Sequence, residues 1–272
     1  MRLGMAQILI KPGDASGNLL RIAEAVEQLK GYGADWILLP ECADTGWCYG
    51  PLDGLSGTIP GGEFYEGIRQ CALRHHVGIT CGMTRRSGQQ FFNSAVSIDP
   101  HGNLLHVHDK IYELDFAQSL YAQGTGLKVF RTSAGTFGVM ICADGFAGDL
   151  CLSRSLAYMG ADLILCPSAW AVPPDYDNEK EAYGKLWEES FAPVARKFGI
   201  HIAAVSNVGP IESGPWAGHS CIGCSMIVDP EGEIRFMAPF GPKAESLTIH
   251  NLPLNKRPVR GTSWDASGNR GG

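Results

Sequence analysis

The sequence predicts a mixed α/β protein, and three observations carry that reading. Short apolar runs alternate with stretches of helical periodicity through most of the chain, a rhythm that neither an all-α nor an all-β layout accommodates. Two segments, SIDPHGNLLH at 97–106 and MIVDPEGEIRF at 226–236, repeat one hairpin pattern about half a chain apart and suggest two related sheets. A hydrophobic content of 44% against 18% charged residues in 272 positions supplies the side chains for a large core.

The first strand is read at residues 3–8, followed by a helix at 16–30 that Asp14 or Ser16 caps and Gly31 ends. A short buried strand at 36–39, a helix at 63–76 and a strand at 77–83 come next. Strands at 91–98 and 104–108 flank Asp99-Pro100-His101-Gly102-Asn103, where Pro second and Gly fourth suit a type I turn and so a β-hairpin. A strand at 137–141, a helix at 149–159, a strand at 162–166, a helix at 179–198 and a strand at 200–206 continue the alternation. The second hairpin closes it, with strands at 222–228 and 234–237. No linker or composition shift divides residues 1–254, which read as one domain, whereas 255–272 form a polar, glycine-rich tail.

A net charge of -6 with scattered Lys and Arg leaves no basic footprint for nucleic acid. No apolar stretch reaches membrane-spanning length and the N-terminal apolar run is short, so no membrane association is expected and a cytoplasmic location is. Nine cysteines, an odd count in a long, core-rich chain, suit reduced thiols acting as small buried hydrophobes better than a disulfide framework.

Three positions carry chemistry together that none carries alone. Cys142 ends the apolar run FGVMI and opens a turn leading into a helix, where backbone N–H groups favour a thiolate. Glu41 follows Pro40 at the exit of a buried strand, which desolvates a carboxylate and suits it to proton transfer. Lys110 ends the strand leaving the first hairpin and, beside a carboxylate in a dry site, is a fixed positive charge for a developing oxyanion. Taken singly, a buried small thiol, a solvated carboxylate and a surface cation are the ordinary readings.

Other patterns weigh less. His106 and His108 alternate with Lys110 along one strand face, but no third ligand at a recognisable spacing follows, so no metal is expected. Cys221 and Cys224 are a lone C-x-x-C and read as core packing. The turn Gly124-Thr125-Gly126 lacks a phosphate-loop pattern, and no cofactor is expected. There is no Gly-x-Ser-x-Gly elbow and no histidine whose context makes it the partner of Cys142, which favours Cys-Glu-Lys chemistry over Cys-His.

Taken in order, LLPE at 38–41, a Lys after the first hairpin, and a strand ending in a Cys with an acid two positions on resemble the nitrilase superfamily of carbon–nitrogen hydrolases. The opening GMAQ, PSAW at 167–170, Asn207 with Gly209, and separations of 69 and 32 residues within the trio extend the likeness over most of the chain. The resemblance implies a four-layer αββα sandwich, Glu41 as general base and acid, Lys110 as oxyanion stabiliser and Cys142 as nucleophile. It further implies Glu113, preferred to Asp115, as an accessory carboxylate, the N–H of Ala143 on the oxyanion, and assembly of copies, for which the tail with Trp264 is a candidate arm. Trp47, Tyr49 and Trp170 are candidates for the pocket wall. Where the family has an aromatic after the Cys and an Arg a little later, this chain has Ala143, Asp144, Gly145 and Phe146. Amide cleavage is thereby favoured over nitrile hydrolysis, with N-carbamoyl compounds next. Transfer of the acyl group to another amine and a silent binding scaffold are the competing outcomes.

Overall fold

The computed structural model describes residues 1–254. In chain order it comprises β1 (Arg2–Gln7), α1 (Ala15–Gly31), β2 (Trp36–Leu38), α2 (Glu63–His75), β3 (Gly78–Ser87), β4 (Gln90–Ile98) and β5 (Leu104–Asp109). Then come β6 (Val129–Arg131), β7 (Thr136–Val139), α3 (Cys151–Tyr158), β8 (Leu163–Ser168), β9 (Ala171–Val172), α4 (Lys185–Phe198) and β10 (His201–Ser206). The last are β11 (Val208–Pro210), β12 (Ser220–Ile222), β13 (Met226–Val228), β14 (Ile234–Met237) and β15 (Ser246–Asn251).

Two six-stranded mixed sheets, ordered β15-β1-β2-β3-β4-β5 and β14-β13-β10-β8-β7-β6, share one plan. Each has three parallel strands, an antiparallel hairpin on one side and a single antiparallel strand on the other. Side chains alternate as the pleat requires. Leu3, Met5, Trp36 and Leu38 join the core that includes Val139, Leu163 and Leu165 of the other sheet, while Ile37, Leu39 and Ala6 face α1 and α2. Apolar side chains of α3 and α4, such as Leu156 and Phe191, cover the second sheet, completing an αββα sandwich as expected.

Both hairpin turns form on the same chemistry. Gly102 N–H donates to Asp99 O at 3.0 Å and Gly232 N–H to Asp229 O at 2.9 Å. Each glycine takes a positive φ, 76° and 79°, which lets the chain leave the turn in register. Asp14 caps α1 by accepting from Gly17 N at 3.1 Å, and the helix ends at Gly31, with Gly33 at φ 89° carrying the left-handed exit two residues on.

Three expected elements change. The helix read at 179–198 begins only at Lys185, because Asp177 and Asn178 side chains take the N–H groups of Glu179, Lys180 and Tyr183, and Gly184 sits at φ 123°. The helix read at 149–159 starts at Cys151, since Asp149 and Leu150 are both left-handed. The strand read at 222–228 is two, broken by positive φ at Gly223 and Cys224.

Candidate active site

Glu41, Lys110 and Cys142 converge at one end of the sandwich, beyond the carboxyl ends of β2, β5 and β7, the edge where open α/β sheets hold ligands. Glu41 is locked in from its backbone: its N–H donates to Ser168 O at the end of β8, 3.2 Å away, so the two sheets are joined where it leaves β2. Beside it Gly82 of β3 donates to Pro40 O and accepts from Ala43 N, both at 2.9 Å. A Cβ on Gly82 would stand 2.5 Å from Glu41 Cα, so only glycine permits this approach.

The Lys110 ammonium lies between two carboxylates, 2.9 Å from Glu41 Oε1 and 3.1 Å from Glu113 Oε1, and all three side chains are buried. Asn93 of β4 donates to Glu41 Oε1 at 2.6 Å and more weakly to Glu113 Oε2 at 3.4 Å, while its carbonyl accepts the Lys110 N–H at 2.8 Å. Burial opposes the lysine's charge, but Glu41, Glu113 and Cys142 outweigh it and hold its pKa well above that of a free lysine. Burial likewise pushes the Glu113 carboxyl up, with Lys110 opposing and Glu41 adding. Asp115, the alternative accessory carboxylate, is exposed and accepts from Gln118 at 3.4 Å, whereas Glu113 is buried against Lys110.

Cys142 sits at φ 43°, an uncommon conformation for a non-glycine residue, at the start of a tight 3₁₀ turn, Cys142–Phe146. Burial drives its thiol pKa well up, Glu41 adds to the rise, and Lys110 and the Ala169 N–H only partly offset it. Burial thus works against the thiolate that backbone N–H groups at the turn favour, because the turn is short and closed off from solvent. The N–H of Ala143, the next residue, has no acceptor among the described residues.

Asp144 holds the turn. Its buried carboxylate accepts from Ile141 N at 3.0 Å, Ile111 N at 3.0 Å, Tyr112 N at 2.7 Å and His108 Nε2 at 2.8 Å, so one side chain ties the Cys142 turn to the segment after Lys110. Burial raises its pKa, but His108 and the backbone donors prevail and bring it below the ordinary carboxylate value. Neither Asn93 nor Asp144 is assigned a role by sequence reasoning, although Asp144 is visible there as the acid two residues after the Cys. His108 thus serves a carboxylate, and His106 stacks on Phe130.

Around the trio several buried polar atoms lack a hydrogen-bond partner among the described residues: Glu41 Oε2, Asn93 Oδ1, Trp47 Nε1, Trp170 Nε1 and Asn207 Oδ1. Buried polar groups are usually paired with protein or water, so each of these atoms is open to one further hydrogen bond. Trp47 lies over the Lys110 ammonium, 5.9 Å from its ring centroid, and Trp170 stacks on Trp187 at 4.5 Å. Tyr49 instead packs against Gly13, outside the group. Cys221 and Cys224 are buried free thiols, consistent with core packing. Gly124 serves close packing: its N–H donates to Lys110 O at 2.8 Å and a Cβ there would lie 2.0 Å from Asp109 O.

Residues 2–257 match the carbon-nitrogen hydrolase family. The chain is 26% identical over 238 residues to a probable nitrilase of Schizosaccharomyces pombe, covering 85% of this chain and 82% of that protein. It is 23% identical to an (R)-stereoselective amidase of a Pseudomonas species over 88% of this chain and 81% of that one. The crystal structure of an amidase from a Nesterenkonia species superposes with a TM-score of 0.77 at 21% identity, covering 94% of this chain and 91% of the other.

Proposed function

The chain belongs to the carbon-nitrogen hydrolase family of the nitrilase superfamily, and from that premise we propose that it hydrolyses a small carboxamide through a thioester on Cys142. The observation that carries this reading is the arrangement of Glu41. One carboxylate oxygen is held by Lys110 and Asn93, and the other, buried and unpartnered, is left to exchange a proton.

Burial favours the neutral form of the Cys142 thiol, which loses its proton to Glu41 as the sulfur attacks the amide carbon. The carbonyl oxygen becomes an oxyanion held by the Lys110 ammonium and the N–H of Ala143. Protonated Glu41 gives its proton to the departing nitrogen, the C–N bond breaks, and ammonia or an amine leaves with the acyl group on Cys142. Glu41 then takes a proton from water, which attacks the thioester, and the carboxylic acid is released with the thiol restored. Glu113 shares Lys110 with Glu41 and keeps the ammonium in place, and Trp170 walls the pocket. The proposal includes a cytoplasmic site of action and self-association through residues 255–272, which lie outside the described residues.

Intact-mass measurement across short amides tests the chemistry. An acyl adduct on the native protein, ammonia release, and loss of both in Cys142→Ala with an unchanged circular dichroism spectrum are expected. Full turnover by that variant would sink the assignment.

A further inference from the structure

Next to the trio lies a cleft of about 710 Å³ whose lining includes Tyr112, Glu113, Asp115, Phe116 and Phe146 and no lysine, arginine or histidine. Two of its lining residues connect it to the reacting groups. Glu113, on its wall, touches the Lys110 ammonium, and Phe146 ends the turn that Cys142 begins. Tyr112 and Phe146 meet edge to face at 5.9 Å and together form an apolar flank of the cleft wall.

The charges here do not cancel. Lys110 is engaged by both Glu41 and Glu113, two carboxyl groups to one ammonium, and Asp115 adds a third carboxyl group at the cleft surface. The unpartnered buried donors nearby, Trp47 Nε1 and Trp170 Nε1, are neutral. An anionic group entering this space would be desolvated beside acidic side chains, with no lysine, arginine or histidine in the described lining to meet it.

We propose that this cleft receives the acyl part of the substrate and excludes a second carboxylate, so that the substrates are amides of uncharged or positively charged acyl groups. The inference rests on the amide-hydrolysis reading and narrows it to a class. Three amides of matched length, pentanamide, 5-aminopentanamide and glutaramate, separate the cases on the intact full-length protein. The anionic amide is expected to have a kcat/KM roughly 50-fold below the neutral one, the factor that like unit charges about 7 Å apart carry at an effective dielectric of about 20. Gln118→Lys, which places a cation on the cleft lining, is expected to raise the ratio of anionic to neutral turnover by about tenfold. Glutaramate turned over as fast as pentanamide, or a Gln118→Lys variant that leaves the ratio unchanged, would overturn the charge argument. Ammonia from none of the three would remove the amide reading itself, and this inference with it.

Discussion

At the scale of single residues, one cation stands between two acids, and one thiol feels the charges of Lys110 and Glu41. A thiol that is neutral because it is buried behaves differently from one ionised by its surroundings. The ordinary thiol value is 9.0 and that of Cys142 is pushed above it, so the thiolate fraction keeps rising as pH increases through 9. Alkylation of Cys142 by iodoacetamide, followed by peptide mass spectrometry, should therefore accelerate through pH 9 without a plateau near 7. Levelling off below pH 8 would show a preformed thiolate and contradict the concerted proton transfer to Glu41. Glu41, Lys110 and Cys142 are legible in the sequence because each ends an apolar run and their order forms a pattern. Asn93 is not, since it is one of several polar residues inside the strand at 91–98 and acquires meaning only when β4 lies beside β2's exit and Lys110. Asp144 is visible but silent, because three of its four partners lie more than 30 residues away, at His108, Ile111 and Tyr112.

At the scale of elements, the hairpins and parallel strands follow from apolar runs and turn residues, and those signals are local. What escapes local reading is where a side chain or a left-handed residue competes with the helix ladder, as Asp177, Asn178 and Gly184 do ahead of α4. The short strands β6, β9 and β11 likewise lack a periodicity long enough to register, and β9 and β15 exist by pairing with partners distant in sequence. The junction of β3 with the Glu41 loop is another such case. Gly82 is an unremarked glycine in an apolar run until the 2.5 Å approach to Glu41 Cα is seen. Gly82→Ala should cost about 1–3 kcal/mol of stability through overpacking against backbone. By displacing Glu41 it should also lower kcat by more than about tenfold. Thermal melts and steady-state rates check both, and a variant with wild-type rates would show that the Glu41 loop yields without consequence.

At the scale of the molecule, the two sheets repeat one topology, and the site sits where their equivalent strands β2 and β8 end side by side, joined by the Glu41 N–H to Ser168 O bond. No described helix is long and apolar enough to cross a membrane. The fold closes through its ends: β15 pairs with β1 from Arg2↔Asn251 to Gln7↔Ser246, and Leu252 N donates to Met1 O at 2.8 Å. Leu247 and Ile249 of β15 also pack on the core beneath α1. Two truncations consequently have opposite outcomes. Ending the chain after Glu245 removes β15, bares the edge of β1 and uncovers that core, so the product should aggregate. Ending it after Leu254 leaves every described pairing in place and should preserve both the circular dichroism spectrum and amide turnover. If residues 255–272 join copies of the chain, the second truncation also lowers the mass found by sedimentation. An unchanged mass would reject the tail as the arm and assign any assembly to surfaces of the sandwich itself.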